Sequence, residues 1–192
     1  MPSAALLNWQ NDRMSRLAEI DTQCIAVLGL TVPNPPLADE NLRGYVMLLS
    51  AHFQGFCRDL HTECVQIVAA GAPPAMRAMI QKFGVADRNL DGANPRYETI
   101  RNDFERFGFD LNAELAASTV TGGQNAYWVT LLGHLNLWRN YAAHHKTSPP
   151  VAGGPLILPT VRSWRISCDG LAAELDRIMY NHLVSLTGTA PW

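Results

Sequence analysis

The sequence has no run approaching the roughly 20 apolar residues that a helix needs to cross a bilayer. Its first residues, MPSAALLNWQNDR, lack a basic start followed by a long apolar run, so no secretory leader is expected. Charge of one sign is also missing. Fifteen Lys and Arg stand against seventeen Asp and Glu, a net charge of -2, so no global field attracts a polyanion. If the chain binds nucleic acid, a local patch must do it. Cysteine is scarce, at Cys24, Cys57, Cys64 and Cys168, with no Cys-x-x-Cys pair. That pattern argues against a disulfide framework or a zinc site and fits buried thiols in a reducing compartment, the cytoplasm. His52, His61, His134 and Glu63 include no His-x3-His spacing that would build a chelating face, so no metal is expected, nor any other cofactor. Alternating strand patterns are nearly absent.

What is present is apolar periodicity. Hydrophobic residues make up 47% and charged residues 17%, the balance of a globular protein. The 192 residues suit one domain spanning 1–192, with no internal repeat and no break. Leu17, Ile20, Cys24 and Leu28 recur at three- and four-residue intervals and predict a helix over 6–28, stopped by Gly29 and Pro33, Pro35 and Pro36. Asp39 offers a cap for a second helix reaching about residue 70, with a ridge of Leu42, Tyr45, Leu49, Phe53, Phe56, Leu60, Cys64 and Ile67. A short helix over 75–83 and a polar turn, DRNLDGAN, follow. Asn94 before Pro95 reads as a helix start, with Tyr97, Ile100, Phe104 and Phe107 as the buried stripe. A weaker helix covers 110–117, a long one 124–145, and a last one 161–186. The loop TSPPVAGGPLILPT separates the last two, with Leu156, Ile157 and Leu158 extended. The fold class is therefore all-α, a helical bundle of long antiparallel helices.

One residue breaks the pattern. With Arg139 at zero on a helical wheel of about 100° per residue, Leu132, Trp128, Leu135 and Ala142 fall within about 60° of it. An arginine in the middle of an apolar stripe is paired to a carboxylate on a neighbouring helix, snorkels to an edge, or faces a cleft where it can meet an anion such as phosphate. His144 lies about 140° away on the same wheel, so an ideal helix does not aim both side chains at one spot. His144, His145 and Lys146 also suit the negative end of a helix dipole.

At these residues the chain resembles the HEPN superfamily, all-helical domains marked by Arg, four to six residues, then His. The match is Arg139-Asn140-Tyr141-Ala142-Ala143-His144, with the polar residue that commonly follows the arginine supplied by Asn140. The stretch Val46 to Leu60 resembles the long early helix of one nuclease subgroup, whose pattern of small, aromatic, Glu, Gly, Phe reads here with Gln54 in place of the acid. Motif-level similarity covers about residues 42–60 and 128–146. The departure at Gln54 removes an acid that could support the site. Some HEPN toxins carry a tyrosine two residues after the histidine, the target of a silencing modification, and Lys146 stands there instead.

The resemblance implies a metal-independent endoribonuclease, a toxin or antiviral-defence effector. In that scheme His144 moves the proton of an RNA 2′-hydroxyl, Arg139 stabilises charge on the phosphoryl oxygens, and Asn140 orients the site. Histidine and arginine suit these tasks, one titrating near neutrality and the other forking onto phosphate. The resemblance also implies a homodimer whose two motifs line one composite cleft, and a possible antitoxin or defence partner. His145, Lys146, Arg162 and Arg165 are candidates for a basic rim that holds RNA, or ordinary surface. His52 is a candidate neighbour of the cleft, or a structural histidine. A HEPN-like module that binds RNA, a nucleotide or a protein without catalysis is the other reading of the same residues.

Overall fold

The computed structural model describes residues 1–119, 123–144 and 148–192. These are helical with no strand among them, and no described helix is long and apolar enough to cross a membrane. Ala4–Asn8 (α1) runs through a π turn, Trp9–Arg13, into Met14–Leu28 (α2). Pro35–Gly71 (α3) begins earlier than Asp39, because Asn34 accepts a hydrogen bond from Leu37 N at 3.2 Å and Pro35 occupies the first turn, where no amide partner is needed. Asp39 instead pairs with Arg43 one turn on. Pro74–Val85 (α4) follows.

The polar turn expected next folds as a short helix, Asn89–Gly92 (α5). Tyr97–Phe104 (α6) then starts three residues after Asn94, whose side chain does not cap it. A 3-10 turn, Glu105–Phe107, ends at Gly108, where φ of +90° suits a residue without Cβ. Leu111–Ala117 (α7), Asn125–Ala143 (α8) and Leu158–Thr187 (α9) complete the chain. Ile157 is extended as expected, but Leu158 already belongs to α9.

One apolar core runs from Ala5 in α1 to Leu183 in α9. The ridge predicted for α3 supplies much of it, with Tyr45, Leu49, Phe53, Phe56, Leu60 and Cys64 fully buried. All four cysteines are buried free thiols. The helix α3 packs on α2, α4, α8 and α9. Trp128 of α8 lies so close over Gly170 of α9 that a Cβ there would meet the indole at 2.6 Å, and Asn125 reaches Glu174 at 3.5 Å.

Polar groups fasten the segment between α4 and α6. Asp103, fully buried, accepts hydrogen bonds from Asn89 N, Asn89 Nδ2 and Leu90 N at 2.9, 3.0 and 2.8 Å. Arg88 donates to Arg58 O, Thr62 Oγ1 and Asp91. His61 is buried against Phe104 and Phe107, and its Nε2 lies 3.2 Å from Asp103 O. A carbonyl only accepts, so Nε2 carries the proton, and Nδ1 is left buried without a partner.

Burial, helped by the charge of Arg88, pushes the His61 imidazole down to about 4. The unfolded chain takes up this proton below about 6.5 while the native state does not, so stability is lost as pH falls through that window. The expected loss is about 3 kcal/mol between pH 7 and 4. It is read as a urea midpoint that falls more steeply with acid in the wild type than in His61→Phe. Equal slopes would contradict it.

Candidate functional site

The last turns of α8 carry the Arg-x4-His segment. Arg139 is half-buried, as a place in the apolar stripe requires, yet no carboxylate pairs with it among the described residues. Its one described hydrogen bond runs from Nη1 to Asn140 Oδ1 at 3.3 Å. Asn94 donates to the same oxygen, Nδ2 to Oδ1, at 2.7 Å. The carboxylate pairing open to Arg139 from sequence is therefore not what holds it. Its immediate neighbour is a neutral amide.

His144 is the C-cap of α8, exposed, with its N–H on Asn140 O at 3.2 Å. No hydrogen bond joins its side chain to Arg139 among the described residues, in keeping with the wheel. Asn140 stands between the two. It bonds Arg139 through its side chain and lies four residues before His144, the spacing of neighbours on one helix face.

Two partners of the motif were not legible in the sequence. Arg43 of α3 donates Nη2 to Tyr141 Oη at 3.1 Å and lies 4.7 Å over the ring of Tyr141, while its Nε pairs with Asp39 at 2.7 Å. Tyr141 is three residues before His144, so this cation lies on the flank of α8 toward His144. Asn94 is the second, read from sequence as a helix cap. Its side chain reaches α8 instead.

Gln54 also has a different role from the acid it replaces. Its Nε2 donates to Leu90 O at 2.6 Å and to Ala93 O at 2.9 Å. A carboxylate has no proton to give either carbonyl, so the amide is what this junction requires.

Two residues of the expected basic rim, Arg162 and Arg165, have partners within the chain. Arg162 forks onto Asp21, Nε to Oδ1 at 2.8 Å and Nη2 to Oδ2 at 2.6 Å. These bonds hold the Asp21 carboxyl below its usual range. Arg165 donates to Tyr45 Oη at 3.1 Å, and that hydroxyl lies 3.4 Å from Asp21. Arg162 is thereby paired to a carboxylate and ties α9 to α2, whereas Arg165 has one described bond, to a tyrosine hydroxyl of α3. His52 faces the other flank of α3, where its carbonyl accepts from Arg13 Nη1 at 3.2 Å. Burial, with Arg13 and Arg16 near, holds its imidazole below the usual value. It does not join the motif. His145 and Lys146 lie outside the described residues.

The remaining titratable candidates are scattered. Glu63 accepts from Ala4 N and Ala5 N, each at 3.0 Å, and so caps α1. His61 serves the Asp103 junction, and His134 packs beneath Gly153. Among the described residues no three His, Cys, Asp or Glu side chains are grouped to hold a metal ion. Comparison with known proteins gives no matching family model, no matching curated protein and no matching solved structure.

Proposed function

We propose that this chain is a metal-independent endoribonuclease of the HEPN type, a toxin or antiviral-defence effector working in the cytoplasm as a homodimer. The observation that carries the proposal is Arg139, a half-buried guanidinium without a carboxylate, hydrogen-bonded to the amide of Asn140 one turn before an exposed histidine. Keeping a cation partly desolvated and uncompensated is costly unless an anion completes the site. A phosphodiester is such an anion, and the planar fork of arginine matches its oxygens.

The reaction needs no activated water, because the nucleophile belongs to the substrate. His144 takes the proton of the 2′-hydroxyl as O2′ bonds to phosphorus. The P–O5′ bond breaks, and O5′ receives a proton from an imidazolium or from water. The products are a 2′,3′-cyclic phosphate and a 5′-hydroxyl end. Arg139 offsets the charge that grows on the non-bridging oxygens. Asn140, between the two, orients the phosphate.

The separation of Arg139 from His144 on one helix is what a dimer resolves. Ala126, Thr130, Gly133 and Leu137 are exposed on one side of α8, in line with His144 at intervals of three, four and seven residues. Small side chains around one exposed leucine suit close approach by the same face of a second copy, an isologous contact that brings two motifs together. The long helices and the motif at the C-terminal end of α8 support an antiparallel HEPN-like bundle.

Mixing two inactive proteins tests the composite site. If arginine and histidine come from different copies, Arg139→Ala and His144→Ala chains refolded together regain about a quarter of the wild-type rate, through the one intact site in each mixed dimer. No recovery, or a monomer by light scattering at micromolar concentration that still cleaves RNA, overturns the composite cleft. A protein that binds RNA without cutting it moves the reading to a non-catalytic module.

A further inference from the structure

We propose that Asn94 is a positioning residue for the motif, fixing the Asn140 amide so that its NH2 group faces the substrate. The inference rests on the nuclease reading for its substrate, a phosphodiester, but its geometry comes from α3, α8 and the turn between α5 and α6.

The orientation of Asn140 follows from donors and acceptors alone. A guanidinium only donates, so the atom of Asn140 facing Arg139 Nη1 must be the amide oxygen. The contact from Asn94 to that same atom must then be made by the Asn94 NH2 group, at 2.7 Å. With its oxygen turned toward two donors, Asn140 presents its own NH2 the other way. No acceptor takes that NH2 among the described residues, and none takes the other N–H groups of Arg139. The Asn140 NH2 and the remaining N–H groups of Arg139 are thus neighbouring donors without a described acceptor, which is what a phosphate oxygen needs.

Asn94 is held on both sides. The carbonyl before it, Ala93 O, accepts from Gln54 of α3 at 2.9 Å, and the carbonyl after it, Pro95 O, accepts from Asn136 of α8 at 3.1 Å. Asn136 is buried, and Asp103 pins the start of α5 from the other side. Three side-chain amides thus tie α3, the turn and α8 together around the residue that touches the motif. A surface turn would not need this number of buried or half-buried amides. They make sense if the position of Asn94 Nδ2 has to be exact to within a hydrogen bond.

The test compares Asn94→Ala with Asn94→Asp. Alanine removes one donor and leaves Asn140 free to rotate. Aspartate keeps the shape but sets a carboxylate against Asn140 Oδ1, which turns the amide over, points its oxygen at the substrate and offers Arg139 a counterion. A residue that merely shapes the turn gives the opposite order, since aspartate suits turns and alanine does not.

The readouts are thermal melting of both variants and anisotropy binding of a fluorescent RNA carrying 2′-deoxy sugars, which cannot be cleaved. Expected are a binding loss of about 5–10-fold for alanine and about 10–100-fold for aspartate, the scales of a neutral and a charge-assisted hydrogen bond. Melting should rank the two variants differently from binding. Aspartate binding as well as or better than alanine overturns the proposal, as does a wild-type protein that does not bind the deoxy oligonucleotide. Binding in the expected order without cleavage of ordinary RNA supports the role of Asn94 while removing the nuclease reading.

Discussion

Replacing His144 by alanine is expected to slow RNA cleavage by about 10²–10⁴-fold, the range of a lost proton transfer. The side chain is exposed at the end of α8, and the hydrogen bond that its residue makes, N–H to Asn140 O, belongs to the backbone and survives the change. Stability should therefore move by no more than about 0.5 kcal/mol, as for an ordinary surface position. Single-turnover cleavage of a labelled RNA and a melting curve, made on the same preparation, separate the two effects. A His144→Ala protein that melts normally and cleaves at the wild-type rate would remove the histidine from the chemistry.

Arg139→Ala is expected to cost about 10²–10³-fold in cleavage, as when a donor to a developing oxyanion is lost. Stability should hold or rise, because the change removes a half-buried cation that no described carboxylate compensates. Arg162→Ala is the contrast. There the nearly buried Asp21 loses a forked partner, so stability falls while the chemistry is untouched. Arg139→Lys should recover only part of the lost rate, since a compact ammonium does not reproduce a planar fork on two oxygens. Full activity in Arg139→Lys would mean that position 139 supplies charge alone. A strongly destabilised Arg139→Ala would make the arginine structural.

The helices were readable because their apolar spacing reports burial directly. The ridge from Leu42 to Ile67 predicts the buried face of α3, with Ile67 at its end only partly buried, and the arginine out of place in α8 shows on the wheel alone. The boundaries were less legible where two caps competed. Asn34 and Pro35 start α3, although Asp39 has the right chemistry to do so. Asn94 before Pro95 has the form of a helix start, yet its side chain is drawn away to Asn140, a partner 46 residues distant. Local pattern holds no record of such a contact.

The same limit applied to the basic rim. Arg162 and Arg165 follow the motif in sequence, but Asp21 and Tyr45 claim them from α2 and α3. Arg43, far earlier in the chain, is the cation that reaches Tyr141. His52 shares α3 with Gln54, and two residues along a helix turn about 200°, so one faces Arg13 while the other faces α5. Which flank met the motif depended on how the helices pack, and periodicity does not encode that.

If a substrate 2′-hydroxyl deprotonated by His144 attacks a phosphate held by Arg139, the 2′-oxygen at the cleavage site is indispensable. The most direct measurement uses one RNA of defined sequence with a single 2′-deoxy sugar at its cleavage site, in excess chelator. The unmodified RNA is expected to be cut in EDTA to a 2′,3′-cyclic phosphate and a 5′-hydroxyl, whereas the deoxy RNA should bind with similar affinity and stay uncut at that site. Cleavage of the deoxy RNA, or activity that appears only when Mg²⁺ is restored, would contradict that mechanism.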